Sequence, residues 1–202
     1  ISITDPDAIR AVLLEQAEAF EKGYFGSALV PLVGRGLLTA DNAPHRRQRH
    51  LVSPAFHHHR IAAYAGIMAG FAREAVGGWR DGAIVDLSAE MMALTLRIVG
   101  KTLFDADVAA EAGRVGTALT VALDFVTRRQ LSLVQLPLAW PLPTHQRFHA
   151  ATRQLDRTVF GLITERRASG ADHGDLLSML LTSQDEAGVG LSDEQVRDEA
   201  MT

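Results

Sequence analysis

Cysteine is absent from the 202-residue sequence. Its absence excludes a disulfide framework, thiolate metal ligands and cysteine nucleophiles within these residues. Long apolar runs are lacking as well, since no stretch reaches the ~18 uncharged apolar residues that a membrane-spanning helix needs. Residues 1–8 contain one Thr and two Asp, and no secretory signal is visible there. From these absences we expect a cytoplasmic protein without membrane contact.

An excess of charge of one sign is also missing, because 20 Lys and Arg stand against 24 Asp and Glu, for a net charge of −4. We therefore expect no extended nucleic-acid surface. Glycine-rich phosphate-binding loops and the serine nucleophile elbow are absent, which argues against the protein classes that those motifs mark. What remains is an ordinary globular balance, 47% apolar and 22% charged, in a chain long enough for one domain with a sizeable core.

The sequence reads as one unit, with no internal repeat, low-complexity linker or second domain. It begins at Ile1 rather than at a methionine, and it ends ten residues after the helix-start signal of Ser192 with Gln195. Both ends look cut. We therefore expect residues 1–202 to be a single partial domain.

Apolar residues recur at helical spacing along most of the chain, and Gly, Pro and capping residues divide them into segments. Residues 24–42, which contain Pro31 and several glycines, are predicted to form a loop with at most short turns. Residues 84–87 are compatible with a short strand, and Asp86 or Ser88 is expected to cap the helix that follows. The predicted fold class is mainly α, with at most short β-strands. Helices are predicted around residues 4–23, 44–53, 60–79, 91–99, 107–129, 144–168 and 175–181 and from Ser192 onward, with a turn at 185–190.

The densest basic segment lies at residues 44–50, in the second predicted helix. His45 and Arg49 are four residues apart and share a face, which Val52 continues. A donor pair above an apolar position suits a ligand with carboxylates at its edge and an apolar body, because a guanidinium binds carboxylates through charge-assisted hydrogen bonds. A solvated basic helix surface explains the same spacing. The residues alone leave both interpretations open.

Three consecutive histidines, residues 57–59, do not predict a metal site. Consecutive helical residues face different directions, and no carboxylate stands at ligand spacing from them. We expect a loop or the start of a helix there.

Taken in order, several segments of the chain resemble the cytochrome P-450 family. The run that contains His45, Arg49, Val52 and Phe56 is similar to the family's third-helix region. Each similar segment is weak alone, but together they cover nearly the whole chain in the family's order. The similar segments are residues 5–13 (an early helix), 36–56 (the third helix), 141–167 (the long helix over the active site), and 175–181 and 191–202 (the lead-in to the central helix).

This resemblance implies the amino-terminal half of a bacterial-type haem-thiolate monooxygenase that contains haem b. His45 and Arg49 occupy the two places that donate to the haem propionates in the family. The protein would insert one oxygen atom from O2 into an apolar small molecule, with electrons from a ferredoxin or a reductase. Arg46 and Arg47 are candidates for facing this electron donor, and simple solvation of the two side chains is the alternative. The implied substrate-pocket candidates are apolar residues of the predicted loop and of the stretch between two later helices: Val30, Leu32, Val33, Leu37, Leu38 and Phe125.

The chain departs from the family pattern in two places. It stops before the acid–alcohol pair of the central helix, and it has no cysteine to supply the thiolate that drives oxygen–oxygen cleavage in these enzymes. We therefore expect no catalytic residue and no metal ligand within residues 1–202, and no activity from this chain alone. Apolar helix faces without partners are expected to make it poorly soluble or loosely packed.

The alternative is a non-enzymatic, all-helical ligand-binding or regulatory domain, such as the effector domain of a repressor. It would explain the helices but not the ordered motifs. A repressor should also carry a basic helix-turn-helix near one end, whereas the first 25 residues contain five acidic residues and only two basic ones. A downstream Phe-x-x-Gly-x-x-x-Cys segment would decide for the monooxygenase.

Overall fold

The computed structural model describes residues 2–106, 108, 111–132, 134–184 and 188–202. Over these residues the chain is mainly α-helical, which confirms the predicted fold class. The same residues contain no β-strand, only an isolated antiparallel bridge between Gln184 and Gly190. Short 3-10 turns lie at Ala17–Ala19 and Ser53–Phe56, and a π-helical turn at Ala11–Glu15 continues the first helix. The α-helices are α1 (Pro6–Arg10), α2 (Gly23–Val33), α3 (Asn42–Val52), α4 (His58–Gly77), α5 (Leu87–Phe104), α6 (Ala112–Leu131), α7 (Pro143–Ser169), α8 (Leu176–Thr182) and α9 (Asp193–Ala200).

Local capping residues set the start of several helices. Asp86 accepts a hydrogen bond from the backbone N–H of Ala89 (3.1 Å) at the start of α5, so Asp86, and not Ser88, is the cap. Ser192 and Gln195 form the predicted capping box at the start of α9. These contacts satisfy backbone N–H groups that the first helical turn leaves unpaired. Both helix starts are therefore consequences of the local sequence.

The largest difference from the sequence prediction lies in residues 24–42, which are predicted as a loop but form helix α2 as far as Val33. Glycine and Pro31 lower the helix propensity of this segment. The side chains of Leu32 and Val33, however, are buried, with 0% and 6% exposed, in a cluster with residues of α6 and α7. Tertiary packing of an apolar face outweighs a weak local preference. The loop prediction is therefore wrong for residues 24–33 and correct only for the turns at 34–41.

Two further boundaries differ from the sequence prediction. Residues 84–87 form no strand: Ile84 is fully exposed, and Leu87 already belongs to α5. A short apolar segment forms a strand only where a neighbouring strand pairs with it, and the described part of the chain offers none here. Residue 107, where a helix was expected to begin, lies outside the described residues, as do 185–187 of the predicted turn.

The core consists of two apolar clusters, and α7 contributes to both. Near its start, Phe148 packs with α2 and α6, where alanines on α6 permit close approach. Further along, Ile163 packs with α8, α9 and the end of α3. The first cluster is Leu32, Val33, Ala118, Ala122, Val126, Phe148, Ala151 and Leu155, and the second is Val52, Ala55, Ile163, Leu176, Leu177, Leu180 and Val196. Helix α7 therefore connects the two apolar clusters.

Many apolar side chains lie outside these clusters. Helix α4 buries none of its 20 residues, and Leu131 and Ile84 are among the large apolar side chains that stay exposed. This agrees with the apolar exposure expected from the sequence, while poor solubility stays a prediction. Nowhere in the described ranges does a helix combine the length and the apolar character that crossing a membrane requires.

Candidate functional site

Helix α3 carries the candidate donor pair. The segment is helical from Asn42 to Val52, close to the predicted bounds, so His45 and Arg49 lie one turn apart on one side of the helix. Val52 lies three residues after Arg49 and continues the same face of the helix. It is buried in the second cluster, as the sequence predicts. The apolar end of α3 therefore anchors the helix while its basic side chains stay outside the core.

Among the described residues, His45 and Arg49 have no partner that would use their donors. His45 is half-buried and Arg49 is exposed, and neither side chain makes a hydrogen bond or an ion pair with any other described residue. Burial lowers the pKa of His45, and the positive charges of Lys22 and Arg49 lower it further, whereas Asp41 raises it. The site thus places the positive charges of Lys22 and Arg49 beside a partly desolvated imidazole. Such a site suits an anionic ligand.

Lys22 is a third basic residue of this site, and sequence reasoning missed it. Its side-chain Nζ donates to the backbone carbonyl of Leu37 (3.1 Å) and to that of Ala40, and its own backbone N–H donates to Asp41 Oδ1 (3.1 Å). Asp41 is therefore engaged by a backbone amide and is not paired with His45. No local pattern could have revealed this contact, because it joins residues 15 to 19 positions apart.

The six substrate-pocket candidates do not form one group. Leu32 and Val33 lie inside the first core cluster, and Phe125 packs against it with its ring stacked on Phe148, 4.5 Å between centroids. Val30 is half-buried on α2. Leu37 is half-buried and packs against the second cluster, and Leu38 is 45% exposed. Their role near a substrate stays a prediction.

Leu37 lines an apolar cavity of 530 Å³ between α3, α5, α8 and α9. The carboxyl group of Glu199 stands at its edge, and burial raises the pKa of this group, as does the nearby charge of Asp198, whereas a hydrogen bond from the Leu37 N–H lowers it. A concave, mostly apolar space with few polar groups is the usual form of a small-molecule site. The other main apolar residues of its wall are Val52, Phe56, Leu96, Val99 and Leu103.

The remaining basic residues of α3 and the histidine run lie on the surface. Arg46 and Arg47 are exposed, and Arg46 forms an ion pair with Glu18. The histidines 57–59 stand at the start of α4, as expected, with the rings of His58 and His59 3.8 Å apart. Within the described stretches, no group of three or more His, Asp or Glu side chains is placed to hold a metal ion.

Replacing Arg49 with glutamine is expected to raise the pKa of His45 in the ligand-free protein, because loss of a neighbouring positive charge favours the protonated imidazole. An NMR titration of the His45 ring measures this pKa. The matched control is Arg46→Gln, whose parent side chain pairs with Glu18, and it should leave the titration of His45 close to that of the parent. An unchanged or lower pKa in Arg49→Gln would contradict the expectation.

The lowered pKa of His45 makes the free energy of unfolding of the parent protein depend on pH. The pKa of His45 lies below its usual value of 6.5 in the folded chain, so the unfolded chain binds more protons as the pH falls through 6.5. The contribution of His45 therefore lowers native stability as the pH falls from 6.5 toward the folded pKa.

Comparison with known proteins gives the family. The family model described as cytochrome P-450 matches residues 1–202. Cyclooctat-9-en-7-ol 5-monooxygenase of Streptomyces melanosporofaciens is 36% identical over 199 residues, which are 98% of this chain and 43% of that protein. Pentalenene oxygenase of Streptomyces avermitilis is 33% identical over 198 residues, which are 98% of this chain and 44% of that protein. The chain thus spans less than half the length of these relatives.

Neither comparison favours the alternative of a regulatory domain. The match extends over the whole chain, from the first helix to α9. The resemblance predicted from the sequence is confirmed: the chain belongs to the cytochrome P-450 family.

Proposed function

We propose that the protein to which this chain belongs is a haem-dependent monooxygenase that inserts one oxygen atom from O2 into an apolar small molecule. The observation that carries the proposal is the pair of His45 and Arg49, two nitrogen donors one helical turn apart with no partner among the described side chains. The pair lies in a chain of the cytochrome P-450 family. Residues 1–202 would form one partial domain of that protein.

His45 and Arg49 fit the propionate groups of haem b. Each offers an N–H donor, and Lys22 adds positive charge nearby. Burial and the charges of Lys22 and Arg49 lower the pKa of His45, and two carboxylates beside it would favour the protonated imidazole. A bound haem would supply the activation of O2. Its thiolate ligand must come from outside these residues, since none of the 202 is cysteine. We therefore propose that this chain alone is inactive.

The substrate is proposed to be an apolar small molecule with few oxygen atoms. The apolar cavity beside Leu37 supports this, because apolar walls exclude water and bind by burial of apolar surface. The names of the relatives support it too, since one is an oxygenase of pentalenene and the other acts on cyclooctat-9-en-7-ol. Val30, Leu32, Val33, Leu38 and Phe125 remain the further candidates for positions near the substrate.

The electron donor is proposed to be a ferredoxin or a reductase with an acidic surface. Arg46 and Arg47 are exposed on the same helix as the donor pair. Complementary charge accelerates encounter between proteins and makes the rate depend on salt.

The test is haem retention by the complete protein with His45 and Arg49 replaced by alanine, singly and together. Each lost charge-assisted hydrogen bond should speed transfer of haem to an excess of apomyoglobin by about tenfold to a hundredfold. The spectrum of the reduced carbon-monoxide complex reports in the same samples whether the haem is thiolate-ligated.

The matched control is His50→Ala, an exposed histidine on the same helix, which should retain haem like the parent. Equal haem loss from His45→Ala and His50→Ala would refute the propionate assignment. A complete protein that binds no haem would refute the proposed function itself.

A further inference from the structure

The turn segment at residues 34–41, between α2 and α3, is in close contact with α9. Gly34 has a φ of 72°, which favours glycine, and a Cβ atom at this position would overlap the carboxylate of Asp198. A Cβ at Gly36 would overlap Thr202 and the backbone carbonyl of Asp198. Two glycines two residues apart thus permit the backbone of the segment to lie directly on α9.

Two consecutive carboxylates of α9 accept backbone N–H groups of this segment. Asp198 Oδ2 accepts from the N–H of Arg35 (2.8 Å), and Glu199 Oε2 accepts from the N–H of Leu37 (3.1 Å). Hydrogen bonds to charged groups are among the stronger ones in proteins. Glu199 is 8% exposed and makes no other side-chain hydrogen bond among the described residues.

Arg197 holds the first of these carboxylates in place. Its guanidinium donates to Asp198 Oδ1 (2.9 Å), to Asp156 Oδ1 on α7 (2.8 Å) and to the backbone carbonyl of Leu32 at the end of α2 (2.8 Å). Only 11% of the Arg197 side chain is exposed. The position of Asp198 is therefore determined by α7 and α2 together.

The carbonyl groups of the same segment are held from the opposite side. Gln48 of α3 donates to the carbonyl of Arg35 (2.8 Å), and Lys22 donates to the carbonyls of Leu37 and Ala40. Carboxylates of α9 therefore bind the backbone N–H groups of the segment, while Gln48 and Lys22 bind its carbonyl groups. Contacts from both sides restrict its backbone. Residues 34–41 of the loop expected from the sequence are therefore a restrained connection between α2 and the helix that carries His45.

We propose that Asp198 and Glu199 are positioning residues, which bind the amides of Arg35 and Leu37 and so fix the segment 34–41 relative to α9. Through this contact α9 sets where Leu37 stands on the wall of the apolar cavity. The inference rests on the proposed function only in assigning that cavity to the substrate. Neither carboxylate needs to touch substrate or haem for this role.

The test is amide hydrogen exchange in the complete protein, read for the amides of Arg35 and Leu37. Asp198→Ala should speed exchange at Arg35, and Glu199→Ala should speed it at Leu37, each by about tenfold or more, as expected for the loss of one hydrogen bond to a charged group. Glu199→Gln conserves the shape and the acceptor oxygen, so it should restore protection at Leu37.

Asp193→Ala is the matched control, because Asp193 lies on the same helix but pairs with the exposed Arg167. It should leave both amides protected. Equal exchange in Asp198→Ala and Asp193→Ala, or no recovery in Glu199→Gln, would overturn the proposal. Should Asp198→Ala not fold, the two Glu199 variants decide. Haem content is measured in the same samples, so failure to take up haem counts against the proposed function and not against the exchange result.

Discussion

Replacing Asp175 with alanine is expected to lower the free energy of unfolding of the complete protein by about 3–5 kcal/mol, the usual cost of leaving one member of a buried ion pair alone. Asp175 accepts two hydrogen bonds from Arg166 Nη1, at 2.7 and 2.8 Å. The two side chains are 5% and 9% exposed. Without Asp175 the guanidinium stays buried with its charge uncompensated.

The rest of the network gives Arg166 no substitute for that carboxylate. Its other nitrogen donates to the backbone carbonyl of Phe104 (2.7 Å), which ties the end of α5 to α7. Ser178 accepts from Arg166 (2.5 Å), and its backbone N–H donates to Asp175 (2.8 Å), which caps α8. Both partners of Arg166 besides Asp175 are neutral. The same substitution also removes a helix cap, which adds to the loss.

Urea denaturation measures the effect, with Asp193→Ala as the control. That variant breaks the ion pair of Asp193 and Arg167, whose side chains are both 45% exposed, and it should cost less than about 1 kcal/mol. A loss in Asp175→Ala no larger than in Asp193→Ala would show that the buried pair does not stabilise the fold.

The stability of the parent protein should also depend on pH through the buried Arg166–Asp175 pair. Burial opposes ionisation of Asp175, but hydrogen bonds from Arg166 and Ser178 outweigh it and hold the pKa below its usual value of 3.8. A lowered pKa contributes stability that is present above 3.8 and is lost as the pH falls through the folded pKa. Asp175→Ala should therefore show a weaker loss of stability in this acid range than the parent.

Replacing Phe148 with alanine is expected to cost about 3–5 kcal/mol of stability, the range for truncation of a fully buried aromatic side chain. Phe148 is 1% exposed in the first cluster, and its ring stacks on that of Phe125. The surrounding side chains come from α2, α6 and α7, so three helices would have to shift to fill the cavity. Thermal and urea unfolding of the complete protein measure the loss.

Phe25→Ala is the control for this substitution, because it removes the same side chain from a position that is 65% exposed. It should change stability by no more than about 0.5 kcal/mol. Similar losses in the two variants would mean that the packing of α6 on α7 contributes little to the stability of the native state.

The sequence predicts the donor pair of the candidate site and leaves its surroundings undetermined. His45 and Arg49 share a face because an α-helix makes one turn about every 3.6 residues, and any helix over 44–53 would place them so. Nothing near them in the chain indicates Lys22, or the engagement of Asp41 by a backbone amide. Those contacts join segments that only folding brings together.

Helix α2 shows the same division in the fold. Its glycines and Pro31 favour a loop by local preference, and the helix exists because Leu32 and Val33 are buried with residues of α6 and α7, more than 80 positions away. The hydrogen bonds from the backbone N–H groups of Arg35 and Leu37 to Asp198 and Glu199 likewise join residues more than 160 positions apart. No short stretch of the sequence contains both residues of any of these contacts.

By itself, the sequence determined the mainly α fold, the capping box at the start of α9, the spacing of His45 and Arg49, and the resemblance to the cytochrome P-450 family. These depend on backbone geometry and on contacts within one or two helical turns, which neighbouring residues set. Only the tertiary structure decided that residues 23–33 are helical, that Arg166 and Asp175 form a buried pair, and that α9 holds the segment before α3. These depend on which distant surfaces exclude water together, and on the free energy that such burial and pairing contribute.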